Sequence, residues 1–178
     1  YHPTLQIGFG VPDGFVLDNT QSAVLAMGSD GTALRFDSVT LSAGETLVSY
    51  LNSGWVNGLD TGSIQSIAVN GLPAVSASAA AGGWQFRLTI IQIGNAAYRF
   101  IFANSRATSA FEQAASVIAG SFRRLTPQEA ASIAPLHIRV VSAGAGDNAS
   151  TLAAQMRGVD NPLELFLVLN GFDAATVI

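Results

Sequence analysis

The chain has 178 residues, no cysteine and a formal net charge of −4, with charged residues making up only 11% of it. That excludes a disulfide framework, a thiol nucleophile and thiolate zinc sites, and it leaves no electrostatic footprint for nucleic acid. The length suffices for one domain with a real core, or for a domain plus a small module, and no apolar run approaches the ~20 residues that span a bilayer.

All eight basic residues are arginines, and Arg123-Arg124 is the one adjacent pair. It reads as a solvated helix end favoured by the helix dipole. The opening YHPTLQIGFG has neither a charged n-region nor an apolar h-region and does not start with Met, so a piece of a longer protein is expected.

In chain order, residues 5–10 suit a short strand, and Val11-Pro12-Asp13-Gly14-Phe15 suits a turn with an aromatic anchor. Residues 24–27 and 32–39 flank Ser29-Asp30-Gly31, whose Asp-Gly pair signals a hairpin. Ser42-Ala-Gly-Glu45 reads as a capping box, opening a helix with Leu47, Tyr50 and Leu51 on one face and Gly54 at its end. Residues 54–62 are rich in glycine and asparagine and read as a loop, while 64–69 read as a strand turning at Asn70-Gly71. Val75, Ala77 and Ala79 alternate with Ser76 and Ser78, a strand of small residues suited to a sheet edge or to a place where a helix lies close.

Residues 84–129 form the core-building stretch. Trp84, Phe86, Leu88 and Ile90 alternate with polar residues, and Tyr98, Phe100 and Phe102 alternate with Arg99, the period of two expected of strands. A two-residue Gly94-Asn95 loop would set Arg99 opposite Ile90. A three-residue Gly94-Asn95-Ala96 loop would instead bring the two apolar sets together, and is the loop expected. Ser109-Ala-Phe-Glu112 reads as a capping box, with Phe111, Ala115, Ile118 and Phe122 at helical spacing behind it. About six strands joined mostly by tight turns, with one helix inside and one at the end, define an α+β antiparallel sheet flanked by helices.

Thr126-Pro127-Gln128-Glu129 combines a capping box with proline at the first helical position, starting a short helix that ends near Pro135. Beyond it, residues 137–141 read as a strand, 148–156 and 162–169 as helices, Asn170-Gly171 as a turn, and Val177-Ile178 as the start of a last strand. A βαα segment of this size buries little surface by itself.

Few residue groups carry chemistry. Asp60-Thr61-Gly62-Ser63 has the signature of aspartic proteases, where two aspartates share a proton because like charges in contact cannot both ionise. One copy would need a symmetric dimer, with Ile90-Ile91-Gln92-Ile93-Gly94 as the bracing element, and the competing reading is a plain turn. His2 and His137 are the only histidines, so the chain has no HExxH pair or histidine-rich ligand set. Gly144-Ala-Gly146 lacks the third glycine of a dinucleotide loop and reads as a turn, with Asp147 or Asn148 capping the helix that follows.

The tail, from Val140-Val141 through Gly144, Gly146, Asp147 and Asn148 to Leu152-Ala153, Leu165-Phe166 and Asn170-Gly171, resembles a LysM module. The resemblance implies a βααβ unit that binds N-acetylglucosamine polymers such as peptidoglycan. Its groove would lie between the loop at Gly144, Gly146, Asp147 and Asn148 and the loop at Asn170, Gly171 and Ala174. Asn148 stands where that pattern has Thr, and Ala149 where it has a large aliphatic residue. Ser121-Phe122-Arg123-Arg124-Leu125-Thr126, with Pro135-Leu136-His137-Ile138-Arg139-Val140-Val141, resembles the C-terminal part of bacterial zinc metallopeptidases of the HtpX/BepA type, whose HExxH domain lies upstream. Residues 1–125, with VPDGF, IAVNGLPA and YRFIF, resemble a PsbP-like domain.

The resulting expectation is a PsbP-like sheet domain at 1–125, a helical linker at 126–136 and a truncated LysM-like module at 137–178. The resemblance implies a non-catalytic accessory region of a periplasmic or cell-envelope metallopeptidase, placed on peptidoglycan or a protein partner. It implies no cofactor in this chain and zinc in the upstream domain. The rival readings are a retroviral-type dimeric aspartic protease using Asp60 and a stand-alone scaffold or ligand-binding domain.

Overall fold

The computed structural model describes residues 1–133 and 137–172. It divides into two compact units, Tyr1–Ile133 and Ala134–Ile178.

The first unit opens with β1 (Ile7–Gly8) and continues through β2 (Phe15–Asn19), β3 (Val24–Gly28) and β4 (Ala33–Thr40). Helix α1 (Leu47–Leu51) precedes β5 (Leu59–Val69), β6 (Leu72–Ala81), β7 (Trp84–Ile93) and β8 (Ala96–Asn104). Helix α2 (Ser109–Gly120), β9 (Arg123–Arg124) and helix α3 (Pro127–Ser132) follow. Seven strands form one antiparallel sheet in the order β2-β3-β4-β8-β7-β6-β5, and β1 pairs with β9 apart from it. The fold is thus α+β with a large antiparallel sheet. Two up-and-down runs, β2–β4 and β5–β8, meet where β8 lies beside β4.

Each face of this sheet carries a buried core over part of its area. On one face Leu34, Phe36, Ile91, Tyr98, Phe100 and Phe102 pack with Phe111, Ala115 and Ile118 of α2 and with Phe122. On the other, Val75, Ala77, Leu88, Ile90 and Ala97 pack with Leu47 and Leu51 of α1, flanked by Tyr50, Trp55 and Val56. Phe100, Phe102, Phe111 and Phe122 are fully enclosed, each contributing roughly 1.5–3 kcal/mol through burial.

Two covered faces overturn the expected register. The β7–β8 loop has two residues, Gly94 and Asn95, and Ile90 stands opposite Arg99 while Ile91 stands opposite Tyr98. The three-residue loop rests on one buried face. In the structure, Leu88 and Ile90 face α1 while Phe100 and Phe102 face α2, so the two apolar sets never needed to meet. Likewise β6 is not an edge. It lies between β5 and β7, and its alanines let α1 approach, with Ala77 fully buried.

Two helix starts and one expected helix end differ from expectation. Ser42 to Glu45 form a turn, with the Ser42 N–H donating to the Glu45 carboxylate at 2.9 Å. Gly44 at φ +78° breaks helical geometry there. The cap of α1 is Thr46, whose hydroxyl accepts from the Ser49 N–H at 3.1 Å while Ser49 Oγ accepts from the Thr46 N–H. For α2 the cap is Thr108, one residue before the expected Ser109, and its hydroxyl accepts from the Phe111 N–H. Glu112 does not close the box, because Arg87 takes its carboxylate at 2.7 Å. Arg123-Arg124 is a strand rather than a helix end, since α2 stops at Gly120 and the chain turns to pair with Ile7 and Gly8. The α3 cap follows the sequence: Thr126 and Glu129 form the capping box, with Pro127 in the first turn.

In the second unit, α4 (Ala149–Ala153) packs against α5 (Pro162–Asn170). Asn148 caps α4 by accepting from the Thr151 N–H, and Gly171 ends α5 in the left-handed conformation at φ +65°. The strand expected over residues 137–141 does not form: the segment has no pairing partner among the described residues, and Ile138 and Val140 are exposed. The strand expected to begin at Val177-Ile178 lies outside the described residues, as do Ala174 of the implied groove and Pro135 and Leu136 of the metallopeptidase resemblance.

Candidate functional site

The candidate site grows from the β4–β8 pairing. Register sets Asp37 opposite Arg99 on the face that α1 covers. The Asp37 side chain is only 4% exposed. Arg99 grips it with two N–H donors, Nε to Oδ1 at 2.7 Å and Nη2 to Oδ2 at 2.9 Å. Arg35, two residues before Asp37 on the same strand face, donates Nε to Oδ2 at 2.7 Å. A bidentate guanidinium and a second donor satisfy this carboxylate in the geometry that makes such pairs strong.

Helix α1 and the segment after it close the cluster. Arg99 donates its remaining Nη1 to the Tyr50 hydroxyl at 2.7 Å and lies 4.9 Å from the centre of the Trp55 ring. Tyr50 and Trp55 stack at 5.3 Å, and the Trp55 indole N–H donates to the Tyr50 carbonyl. Burial works to raise the Asp37 pKa, but the hydrogen bonds and charges of Arg99 and Arg35 outweigh it and hold the carboxyl below the ordinary aspartate range. Burial also works against the charge of Arg99, and its bonds to Asp37 outweigh that.

Two guanidiniums and one carboxylate leave the cluster with one net positive charge on a chain of net charge −4. Asp37 has its oxygens occupied by three N–H donors and is not available to abstract a proton. The arrangement fixes charge and presents a cation: the side chain of Arg35 is 47% exposed, and its Nη groups bond no acceptor among the described residues.

The residues singled out from sequence lie elsewhere. Residues 59–62, the end of the loop expected over 54–62, belong to β5, and the pattern of a turn arises from a bulge between Asp60 and Gln65 on this sheet-edge strand. Asp60 is exposed, and its Oδ1 accepts the Gly62 N–H at 3.0 Å while Ser63 Oγ bridges to the Ser78 N–H. In the second unit, Asp147 accepts from the Gly144 N–H at 2.8 Å, next to Gly146 at φ +93°. Asn148 serves as the α4 cap, and Asn170 donates back to the Phe166 carbonyl beside Gly171. Each therefore builds its own turn or helix end. Asp37, Arg35 and Arg99 went unrecognised in the sequence. The available signal is the pair of opposite charges two apart on one strand face, and only the non-local β4–β8 pairing brings Arg99 to them.

No protein-family model matches the chain, and no curated protein matches it. Among solved structures it is similar to a crystal structure from Bacteroides thetaiotaomicron at 12% identity and a TM-score of 0.51. That match covers 72% of this chain and 48% of the other, so this chain spans about half of that protein's length. It is also similar to the solution structure of cyanobacterial PsbP (CyanoP) from Synechocystis sp. PCC 6803, at 11% identity and a TM-score of 0.50, covering 70% of this chain and 90% of the other. At these identities the likeness is one of fold, and the fold is PsbP-like.

Proposed function

We propose that the chain is a non-catalytic binding region of a cell-envelope protein, acting as the accessory part of a zinc metallopeptidase and placing it on peptidoglycan or a protein partner. The single observation that carries this reading is the Asp37 cluster. Its carboxylate is spent on holding Arg99 and Arg35, so the most elaborate polar group of the sheet domain stiffens a surface and displays a cation instead of moving a proton. The metallopeptidase parentage, with zinc in the upstream domain, and the glycan role of Gly144, Gly146, Asp147, Asn148, Asn170 and Gly171 rest on the sequence resemblances.

The test is co-sedimentation of the full chain with purified peptidoglycan, competed with soluble N-acetylglucosamine oligomers, beside a casein-cleavage assay with and without added zinc. Retention in the pellet, release by the oligomers and no cleavage are expected. Cleavage by this chain, or tight zinc binding by its own side chains, overturns the reading.

A further inference from the structure

The covered face of the sheet is covered only in part. Through the register, Asp18, Leu25 and Arg35 stand side by side on β2, β3 and β4, and Val16, Met27 and Ala33 form the neighbouring row on the same face. Val16 is 76% exposed and Met27 53% exposed, and Asp18 and Arg35 are exposed too. Asp18 has no ion-pair partner among the described residues, and Arg35 reaches only Asp37. An apolar patch carrying an unpaired carboxylate and a guanidinium whose Nη donors stay free marks an interaction surface.

The order of these residues selects the partner. We propose that this surface is an isologous interface that joins two copies of the chain about a two-fold axis running along β3. With strands ~4.8 Å apart, Asp18 and Arg35 lie about 5 Å to either side of Leu25. A two-fold axis along β3 exchanges those two positions, so Asp18 of each copy meets Arg35 of the other. Leu25 and Met27 then meet their own counterparts, and the larger Val16 meets the small Ala33. A patch that is its own complement in charge and in size is what a two-fold interface requires. The Asp37 bond at Nε keeps Arg35 aimed while its Nη groups stay free for the second copy's carboxylate. This inference stands apart from the accessory-region reading and survives or fails without it.

Sedimentation equilibrium and light scattering of the full chain across a range of concentrations give the test. A concentration-dependent dimer is expected, with Asp18→Arg and Met27→Glu each weakening it at least tenfold. Arg35→Glu also weakens it, and mixing Asp18→Arg chains with Arg35→Glu chains restores a heterodimer, because every cross-axis pair is then again of opposite charge. Since Arg35→Glu disturbs the Asp37 cluster, Asp18→Arg and Met27→Glu decide the matter if that variant fails to fold. Val117→Glu, on the exposed side of α2, should leave the dimer unchanged. A monomer at all concentrations overturns the proposal. So does a dimer indifferent to Asp18→Arg and Met27→Glu, or one broken by Val117→Glu.

Discussion

The side-chain amide of Asn70 donates to the carbonyl oxygen of Phe122 at 2.8 Å and to that of Gly120 at 3.0 Å. Asn70 sits at φ +48° in the β5–β6 turn, so one residue shapes a hairpin and caps the end of α2. Asn70→Gly keeps the turn and loses both bonds. It should cost about 1–2 kcal/mol, near the worth of two bonds with partial replacement by water. Urea denaturation followed by tryptophan fluorescence measures this, and an unchanged midpoint would refute the link.

Removing Asp37 should be far more damaging. Asp37→Ala leaves Arg99, whose side chain is 17% exposed, without its counter-ion, a loss of roughly 3–5 kcal/mol. Glu112→Gln breaks the half-exposed pair with Arg87 and should cost no more than about 1 kcal/mol. Equal losses in the two variants would show that burial does not set the strength of these pairs.

The same carboxylate carries a pH signature. Because its folded-state pKa is depressed, Asp37 contributes stability that is complete above the unfolded aspartate range and is lost as pH falls through the lower folded value. Wild type should therefore lose stability below about pH 4, and the loss should be smaller in Asp37→Asn. Chemical denaturation of both chains from pH 7 to pH 2 provides the comparison.

Glu129 is also held below the ordinary carboxylate range. Its hydrogen bond from Arg123, with those from the Thr126 N–H and hydroxyl, holds its pKa at about 2. The Thr126 amide resonance should thus shift with a midpoint near 2 instead of the ordinary 4.5. In Arg123→Gln the midpoint should move upward, and a midpoint that stays put would assign the shift to the cap alone.

Gly58 admits no side chain. It lies at φ +67°, and a Cβ built there would fall 1.9 Å from the Ala80 carbonyl oxygen. Gly58→Ala should cost about 2–4 kcal/mol through backbone strain and displacement of β6. Gly71→Ala has the same sign of φ, at +78°, but open space around it, and should cost about 1 kcal/mol. Thermal unfolding of the pair separates the steric from the conformational part.

Much of the fold could be read from local chemistry. Asp30-Gly31, Asn70-Gly71 and Gly82-Gly83 all mark real turns, and Phe111, Ala115 and Ile118 all point into the core. What escaped was non-local. The β7–β8 register went wrong because Leu88 and Phe100 serve opposite cores, which alternation within one strand cannot reveal. Strand β2 was missed because Val16 and Leu17, adjacent and both apolar, are both exposed on an edge strand and show no alternation. The Asp37–Arg99 pair is hidden because it crosses between β4 and β8, strands far apart in sequence that no tight turn joins.

The pairing of β4 with β8 is the only contact between strands of the main sheet that no tight turn supplies. Each of the other pairs closes a short loop, whereas Asp37 and Arg99 are 62 residues apart. Loop-closure entropy grows with that separation, and chains dominated by such distant pairings fold slowly. The seam thus carries the largest loop-closure cost of any pairing in the main sheet, and Phe36, Phe100, Asp37 and Arg99 hold the join between its two meanders.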